Sequence, residues 1–418
     1  MNNAPDVIIV GGGAIGLCAA YYLLKDGASV VVIDKGEMGH GSSLHNAGYI
    51  CPSHFVPLAA PGVFAQALKW MLSPSSPFYV KPRLDRELIA WAWQFRKSST
   101  ERAMRCAMPL LRDLLVDGSR LMEELSREPG MAFQYARQGL CMLFATEKGR
   151  SAVEHEARLA DELGMEARLL DRRQLQTMDP GIEFGAMGGA FYPGDAHLLP
   201  AKLVQDLSSV LVRSGATLIE NCPVEGFVLE GGRIASVKTP KGWYESREVV
   251  LAGGAWSPGI LRDIGVRMLM QPGKGYSITI PRPPRKPVHP YIFTERRVVV
   301  TPFQDSLRFA GTMEMSGLDT SIHQLRIRAM LDAIPVYMKN IVLPPFSDFA
   351  LWAGLRPVSP DGLPYIGRFR QVSNLTAATG HAMLGISLAT VTGKLVAEIL
   401  GGRPPSHDLA LLNPQRFG

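Results

Sequence analysis

The sequence predicts an α/β chain, α+β overall, in which a doubly wound parallel sheet is interrupted by a discontinuous antiparallel-sheet domain. Three observations carry this expectation. A glycine-rich turn joins an apolar run to a helix at the N-terminus, and strand–turn segments rich in small residues recur near residues 250 and 380. The stretches between them alternate as antiparallel strands do.

Val7–Val10 reads as a short buried strand. It runs through Gly11-Gly12-Gly13-Ala14-Ile15-Gly16 into a helix from Leu17 to Lys25, which Gly27 stops. Val30–Ile33 follows as a second strand ending at Asp34. Residues 64–128 are mostly helical in pattern, and 138–146 and 188–192 read as strands. Leu199–Ser214 is a helix closed by Gly215. Thr217–Glu220, Val224–Leu229, Arg233–Thr239 and Val249–Ala252 are strands, and 276–280, 291–301 and 307–311 make an antiparallel set. The chain ends as strand (Leu375–Ala378), loop (Thr379–Ser387) and a helix to Leu400.

At 418 residues the chain exceeds a single ordinary core. The three small-residue segments must share one domain, so the chain has to return to it twice. Residues 1–75, 190–258 and 353–418 are therefore assigned to a cofactor domain, and 76–189 and 259–352 to a substrate domain. Five scattered cysteines without a CxxC pair argue against a disulfide framework or a zinc site. With neither a secretory signal nor a spanning apolar run in view, the expected location is the cytoplasm, with peripheral contact on the inner face of the cell membrane left open. Residues 81–112 concentrate eight basic groups (Lys81, Arg83, Arg86, Arg96, Lys97, Arg102, Arg105, Arg112) against three acids. Nothing resembles a nucleic-acid module.

The first turn has the full context of a dinucleotide site. Gly11 permits the tight turn, Gly13 admits a pyrophosphate, and Gly16 allows close helix–strand packing. The helix start, at Ala14 and Ile15, offers N–H donors. Asp34, followed by Lys35, closes the second strand where a carboxylate can bind a ribose hydroxyl pair. No second fingerprint exists for NAD(P)H, which points to FAD. Ala252-Gly253-Gly254-Ala255-Trp256 follows a buried strand with the small residues that close approach to a large cofactor demands. Gly380-His381-Ala382-Met383-Leu384-Gly385 opens the last helix, where N–H groups would favour a flavin anion. His381 is open between flavin contact and a cap. Arg356, among apolar neighbours, wants a carboxylate; that acid is either a substrate's or a structural partner, Asp361 or another acid of the chain.

These segments resemble, in the same order, those of bacterial D-amino acid dehydrogenases, of the D-amino acid oxidase and glycine oxidase superfamily. The likeness rests on Gly11–Asp34, Ser42-Ser43-Leu44-His45-Asn46-Ala47-Gly48-Tyr49, Leu58-Ala59-Ala60-Pro61-Gly62, Lys274-Gly275-Tyr276-Ser277, Gly354–Pro357 with Ser359-Pro360-Asp361-Gly362, and Thr379–Gly385. It implies that Ser42, Ser43, Asn46, Ala47 and Gly48 line the FAD and that Val224 meets its adenine side. It further implies that Arg356 and Tyr276 bind the substrate carboxylate, with Tyr49 and Ile50 beside the flavin ring. His45 and His54 stand outside the shared pattern, and His54 is kept among the catalytic candidates. No cysteine lies in 350–365, so the FAD is expected to be noncovalent. The implied reaction is hydride transfer from a D-amino acid, giving a 2-oxo acid and ammonia, with a quinone or dye as acceptor. The alternatives are a D-proline or hydroxyproline dehydrogenase, an oxygen-using oxidase, or a flavin subunit of a larger electron-transfer complex.

Overall fold

The computed structural model describes residues 4–70 and 76–417; the boundary expected at residue 75 lies outside them. Continuous apolar runs make buried parallel strands, and Val7–Val10, Val30–Ile33 and Glu248–Leu251 do so here. They form the centre of a six-stranded sheet in the order Tyr365–Arg368, Leu375–Thr379, Glu248–Leu251, Val7–Val10, Val30–Ile33, Thr217–Ile219. All neighbours are parallel except the Tyr365–Arg368 edge strand. Helix Ala14–Lys25 packs against Ala389–Leu400 and Pro200–Arg213.

The second sheet has nine strands. Its path runs Ala350–Val358, Gln271–Pro281, Ser306–Met315, Val298–Pro302, Tyr291–Phe293, Leu140–Phe144, Gly188–Tyr192, Arg168–Asp171, and Phe78–Val80 pairs with Ser306–Met315. Two of its strands, Gly188–Tyr192 and Ala350–Val358, cross the expected divisions at 190 and 353.

Several local expectations change. The 291–301 run is two strands, Tyr291–Phe293 and Val298–Pro302, paired antiparallel around a turn. Within 64–128 a strand, Phe78–Val80, separates helix Val63–Trp70 from helices Arg86–Ser98 and Glu101–Leu125. The last helix begins at Ala389, after turns through 380–388, so Gly380 does not stand at its N-terminus.

Candidate active site

The glycine-rich turn is built for close approach. Gly11 has φ +111°, and a Cβ there would collide with the Ala252 carbonyl oxygen; one at Gly16 would collide with the carbonyl of Gly11. The turn at the start of Ala14–Lys25 and the Ala252–Trp256 segment thus meet across the central strands. Asp34 Oδ2 accepts from Gly12 N–H at 2.7 Å and Oδ1 from Gly36 N–H at 2.9 Å. Its remaining lone pairs can accept ribose hydroxyls. Lys35 Nζ lies 3.3 Å from the Trp256 ring centroid. Val224 follows Cys222, whose N–H donates to Asp34 O at 2.8 Å, so it stands at the same end of the sheet.

Residues 42–48 form a loop shaped largely by its own side chains. Asn46 Oδ1 accepts from Gly48 N–H, while Nδ2 donates to Ser43 O at 2.7 Å and Ser42 O at 3.3 Å. Ser43 Oγ accepts from Ala14 N–H at 3.0 Å, tying this loop to the helix start. Ser42 Oγ donates to Leu355 O, and Thr301 Oγ1 to Ala47 O, tying it to the nine-stranded sheet. These contacts leave a cradle of glycines, backbone donors and a carboxylate that fits a dinucleotide.

The face of the nine-stranded sheet that meets this loop carries the charge. Arg356 lies beside Gly273 in register, and its guanidinium occupies the space a side chain at Gly275 would fill. Nη1 donates to Thr312 O at 3.0 Å. No carboxylate among the described residues pairs with it, and burial alone pushes its pKa down to about 10. Trp352 lies on the same face, 5.6 Å from the His45 ring.

Tyr276 is not beside Arg356. Strand side chains alternate, so Gly275 and Tyr276 face opposite sides of the sheet. The Tyr276 ring sits in the core with Ile278, Ile280 and Tyr337, and its hydroxyl donates to Glu314 Oε2 at 3.0 Å. Glu314 also meets Lys274 at 3.3 Å and Arg326 at 3.1 Å. The expected second carboxylate ligand is therefore committed to a buried ion network.

The other catalytic candidates, Tyr49 and His54, are also committed, as is His381 of the expected cofactor set. Tyr49 Oη donates toward Tyr291 O and Val300 O and accepts from Val300 N–H. His54 Nδ1 lies 3.0 Å from Ser53 Oγ, and burial holds its pKa down to about 4. His381 Nε2 lies 2.9 Å from Thr392 Oγ1, with its pKa held to about 3 by burial, so it is a neutral pin between loop and helix. Near it Gly380 has φ +80°, Met383 is exposed, and Leu384 and Gly385 are partly exposed.

Sequence reasoning missed Arg308. It alternates with buried Leu307 and Phe309 on strand Ser306–Met315 and so faces the Arg356 side. The period-2 pattern of 307–311 held that signal.

The family model for FAD dependent oxidoreductases, DAO, matches residues 6–399. A D-amino acid dehydrogenase of Granulibacter bethesdensis is 30% identical over 421 residues, covering 98% of this chain and 99% of that protein. One from Rhizorhabdus wittichii is 32% identical over 420 residues, covering 98% and 100%. Among solved structures, glycine oxidase from Geobacillus kaustophilus superposes with a TM-score of 0.79 at 24% identity, covering 99% of this chain and 98% of that one. L-proline dehydrogenase from P. horikoshii gives 0.75 at 20% identity, covering 100% and 98%. These likenesses below 25% identity speak for the fold, while the match over 6–399 and the relatives at 30% and 32% speak for descent. The chain belongs to the DAO family of FAD dependent oxidoreductases, and FAD is its cofactor.

Proposed function

We propose that this enzyme oxidises D-amino acids to 2-oxo acids and ammonia and passes the electrons to a quinone. The observation that carries this reading is Arg356: a largely desolvated guanidinium, without an acidic partner among the described residues, on the sheet face that meets the flavin-type loop. A carboxylate-bearing substrate supplies the missing charge, and a planar fork holds it in one orientation. The D configuration rests on the relatives named D-amino acid dehydrogenase.

Gly11, Gly13, Ala14, Ile15, Gly16, Asp34 and Lys35 would hold the ADP half of FAD, with Val224 on the adenine side. Ser42, Ser43, Asn46, Ala47, Gly48, Ala252, Gly253, Trp256 and the 380–385 loop would hold the rest. Bound FAD would accept a hydride from Cα, leaving an imino acid that water hydrolyses. The protein needs no base at Cα once the amine is neutral. The engagement of Tyr49, His54 and His381 by other groups supports a site that works by orientation. We divide the chain into 1–75, 190–258 and 353–418 against 76–189 and 259–352, with the divisions near 190 and 353 moved to the ends of strands Gly188–Tyr192 and Ala350–Val358. The composition of the six-stranded sheet supports the first group.

The test is anaerobic. The purified yellow protein is mixed with a panel of D- and L-amino acids, and the flavin absorbance is followed. Bleaching by D- but not L-amino acids is expected, with reoxidation faster by a quinone dye than by oxygen. Bleaching by L-amino acids alone, or by amines without a carboxylate, overturns the reading.

A further inference from the structure

Arg308 is a second guanidinium on the Arg356 face. It is 4% exposed. Its hydrogen bonds reach neutral oxygens: Nη1 donates to Asn46 O at 2.7 Å and Nε to Thr279 Oγ1 at 3.0 Å. Its carbon also lies 5.0 Å from the Phe303 ring centroid. Among the described residues no carboxylate pairs with it, and burial alone pushes its pKa down to about 10. Desolvating a cation without a counter-charge is costly, and such a group is the natural partner of an anion brought by a ligand.

The two cations are joined by a strip of one strand. Gly275, Ser277 and Thr279 alternate onto the same face of Gln271–Pro281. The Arg356 guanidinium lies over Gly275, and the Arg308 Nε bonds Thr279. Between them Ser277 Oγ is buried without a hydrogen-bond partner, as is Thr312 Oγ1 on the neighbouring strand. A buried hydroxyl left unpaired calls for a polar ligand atom. Trp352, opposite Ser277 in register, walls the strip on the other side. The order along the strand is cation, hydroxyl, cation.

Its length selects a ligand. Four residues of strand span about 13 Å, and a carboxylate carbon sits roughly 4 Å from each guanidinium carbon it forks with. About 5 Å then remains between two carboxylate carbons, the span from C1 to C5 of glutamate. We infer that Arg308 determines specificity by binding a second anionic group, and that the site takes D-amino acids bearing a side-chain carboxylate of about glutamate length. This rests on the reading of Arg356 as the α-carboxylate ligand. The competing role for Arg308 is a tether for the loop at Asn46, which would leave substrate choice untouched.

D-glutamate and D-glutamine differ at the far end by a carboxylate against an amide. Wild-type holoenzyme should show kcat/KM for D-glutamate about tenfold or more above that for D-glutamine, the scale of one charge-assisted hydrogen bond. Arg308→Met should collapse that ratio to near one. Glutarate should perturb the oxidised flavin spectrum at lower concentration than butyrate. Equal use of D-glutamate and D-glutamine by the wild type, or a ratio that survives in yellow Arg308→Met, overturns the inference. If that variant loses FAD, the wild-type ratio and the glutarate titration decide alone. A chain that oxidises D-alanine without preferring D-glutamate refutes the second anion site and leaves the proposed reaction standing. A chain that no D-amino acid reduces refutes the reaction itself.

Discussion

Arg416 forks onto Asp361, with Nε 2.7 Å from Oδ2 and Nη2 2.8 Å from Oδ1. The acid that the sequence offered as a structural partner for Arg356 is thereby taken, and Arg356 keeps its charge for something else. Arg356→Lys retains a cation and loses the fork, so KM for D-amino acids should rise by about tenfold or more while FAD stays bound. Asp361→Asn should instead lower the melting temperature without moving KM. Steady-state kinetics with both variants separate the two roles. A normal KM in Arg356→Lys removes this residue from substrate binding.

Asp34 already accepts two backbone N–H groups, from Gly12 and Gly36, and so shapes the turn proposed to hold the ADP half of FAD, with lone pairs left over for the proposed ribose contact. Asp34→Ala should weaken FAD binding by about 1–3 kcal/mol. The measurement is titration of apoprotein with FAD by fluorescence quenching. Unchanged affinity in the variant would place the ribose elsewhere.

Burial gives a pH signature at Asp195. Its carboxyl is 1% exposed and pushed up to about 7, with Ser53 N–H, Ser53 Oγ and Cys51 bonding it only partly offsetting the desolvation. A carboxyl with a raised folded pKa binds its proton more tightly folded than unfolded. Its contribution is therefore most favourable below its unfolded pKa and is lost as pH rises toward 7, by about 4 kcal/mol in all. Asp195→Asn cannot titrate. The melting temperature of the variant relative to wild type should climb between pH 5 and 7.5, and a difference independent of pH would show Asp195 charged throughout. His197 and His381 also titrate on unfolding, with pKa values depressed to about 4 and 3, and being present in both proteins they largely cancel in the comparison. His54, depressed to about 4, has a ring nitrogen within 4.8 Å of an Asp195 carboxylate oxygen, so its titration is coupled to that of Asp195 and belongs to the same signal.

The parallel-sheet strands were legible because both of their faces are buried, so their apolar runs are unbroken and bounded by turn residues. Val7–Val10 and Val30–Ile33 fall where the pattern placed them. The face that Tyr276 takes was not legible. Parity along one strand is plain, but which parity meets the cofactor depends on register with Ala350–Val358, and the residues of one strand do not encode that. Helical spacing alone would put Leu84 on one face with Leu88, Trp91 and Phe95, yet it lies fully exposed, because Asp85 caps the helix and Arg86 begins it. Arg308 was legible in alternation and unread, since its meaning depends on the lack of an acid nearby in space.

The remaining prediction concerns helix Arg86–Ser98. Leu88, Trp91 and Phe95 are buried, while Trp93 is 55% and Ile89 62% exposed. Arg86, Ile89, Ala90 and Trp93 share an open, mostly apolar surface patch, and Lys97 Nζ stands 5.3 Å from the Trp93 ring. Part of the local positive charge is neutralised: Arg83 meets Asp85, Arg105 meets Glu101 and Glu162, and Arg112 meets Asp113. An exposed tryptophan and isoleucine rimmed by cations suits the headgroup layer of an anionic membrane, where each basic residue contributes about 1 kcal/mol. Among the described residues no helix is long and apolar enough to cross a bilayer, so the contact would be peripheral. It would bring the enzyme to the layer that holds quinone. The protein should co-sediment with vesicles containing anionic lipid at low salt and detach as salt screens the attraction. Trp93→Ser combined with Arg86→Glu and Arg96→Glu should abolish co-sedimentation while dye-coupled oxidation in solution continues. Equal sedimentation of the triple variant and its parent, or no sedimentation of the parent, would remove this face from the account of how electrons leave the enzyme.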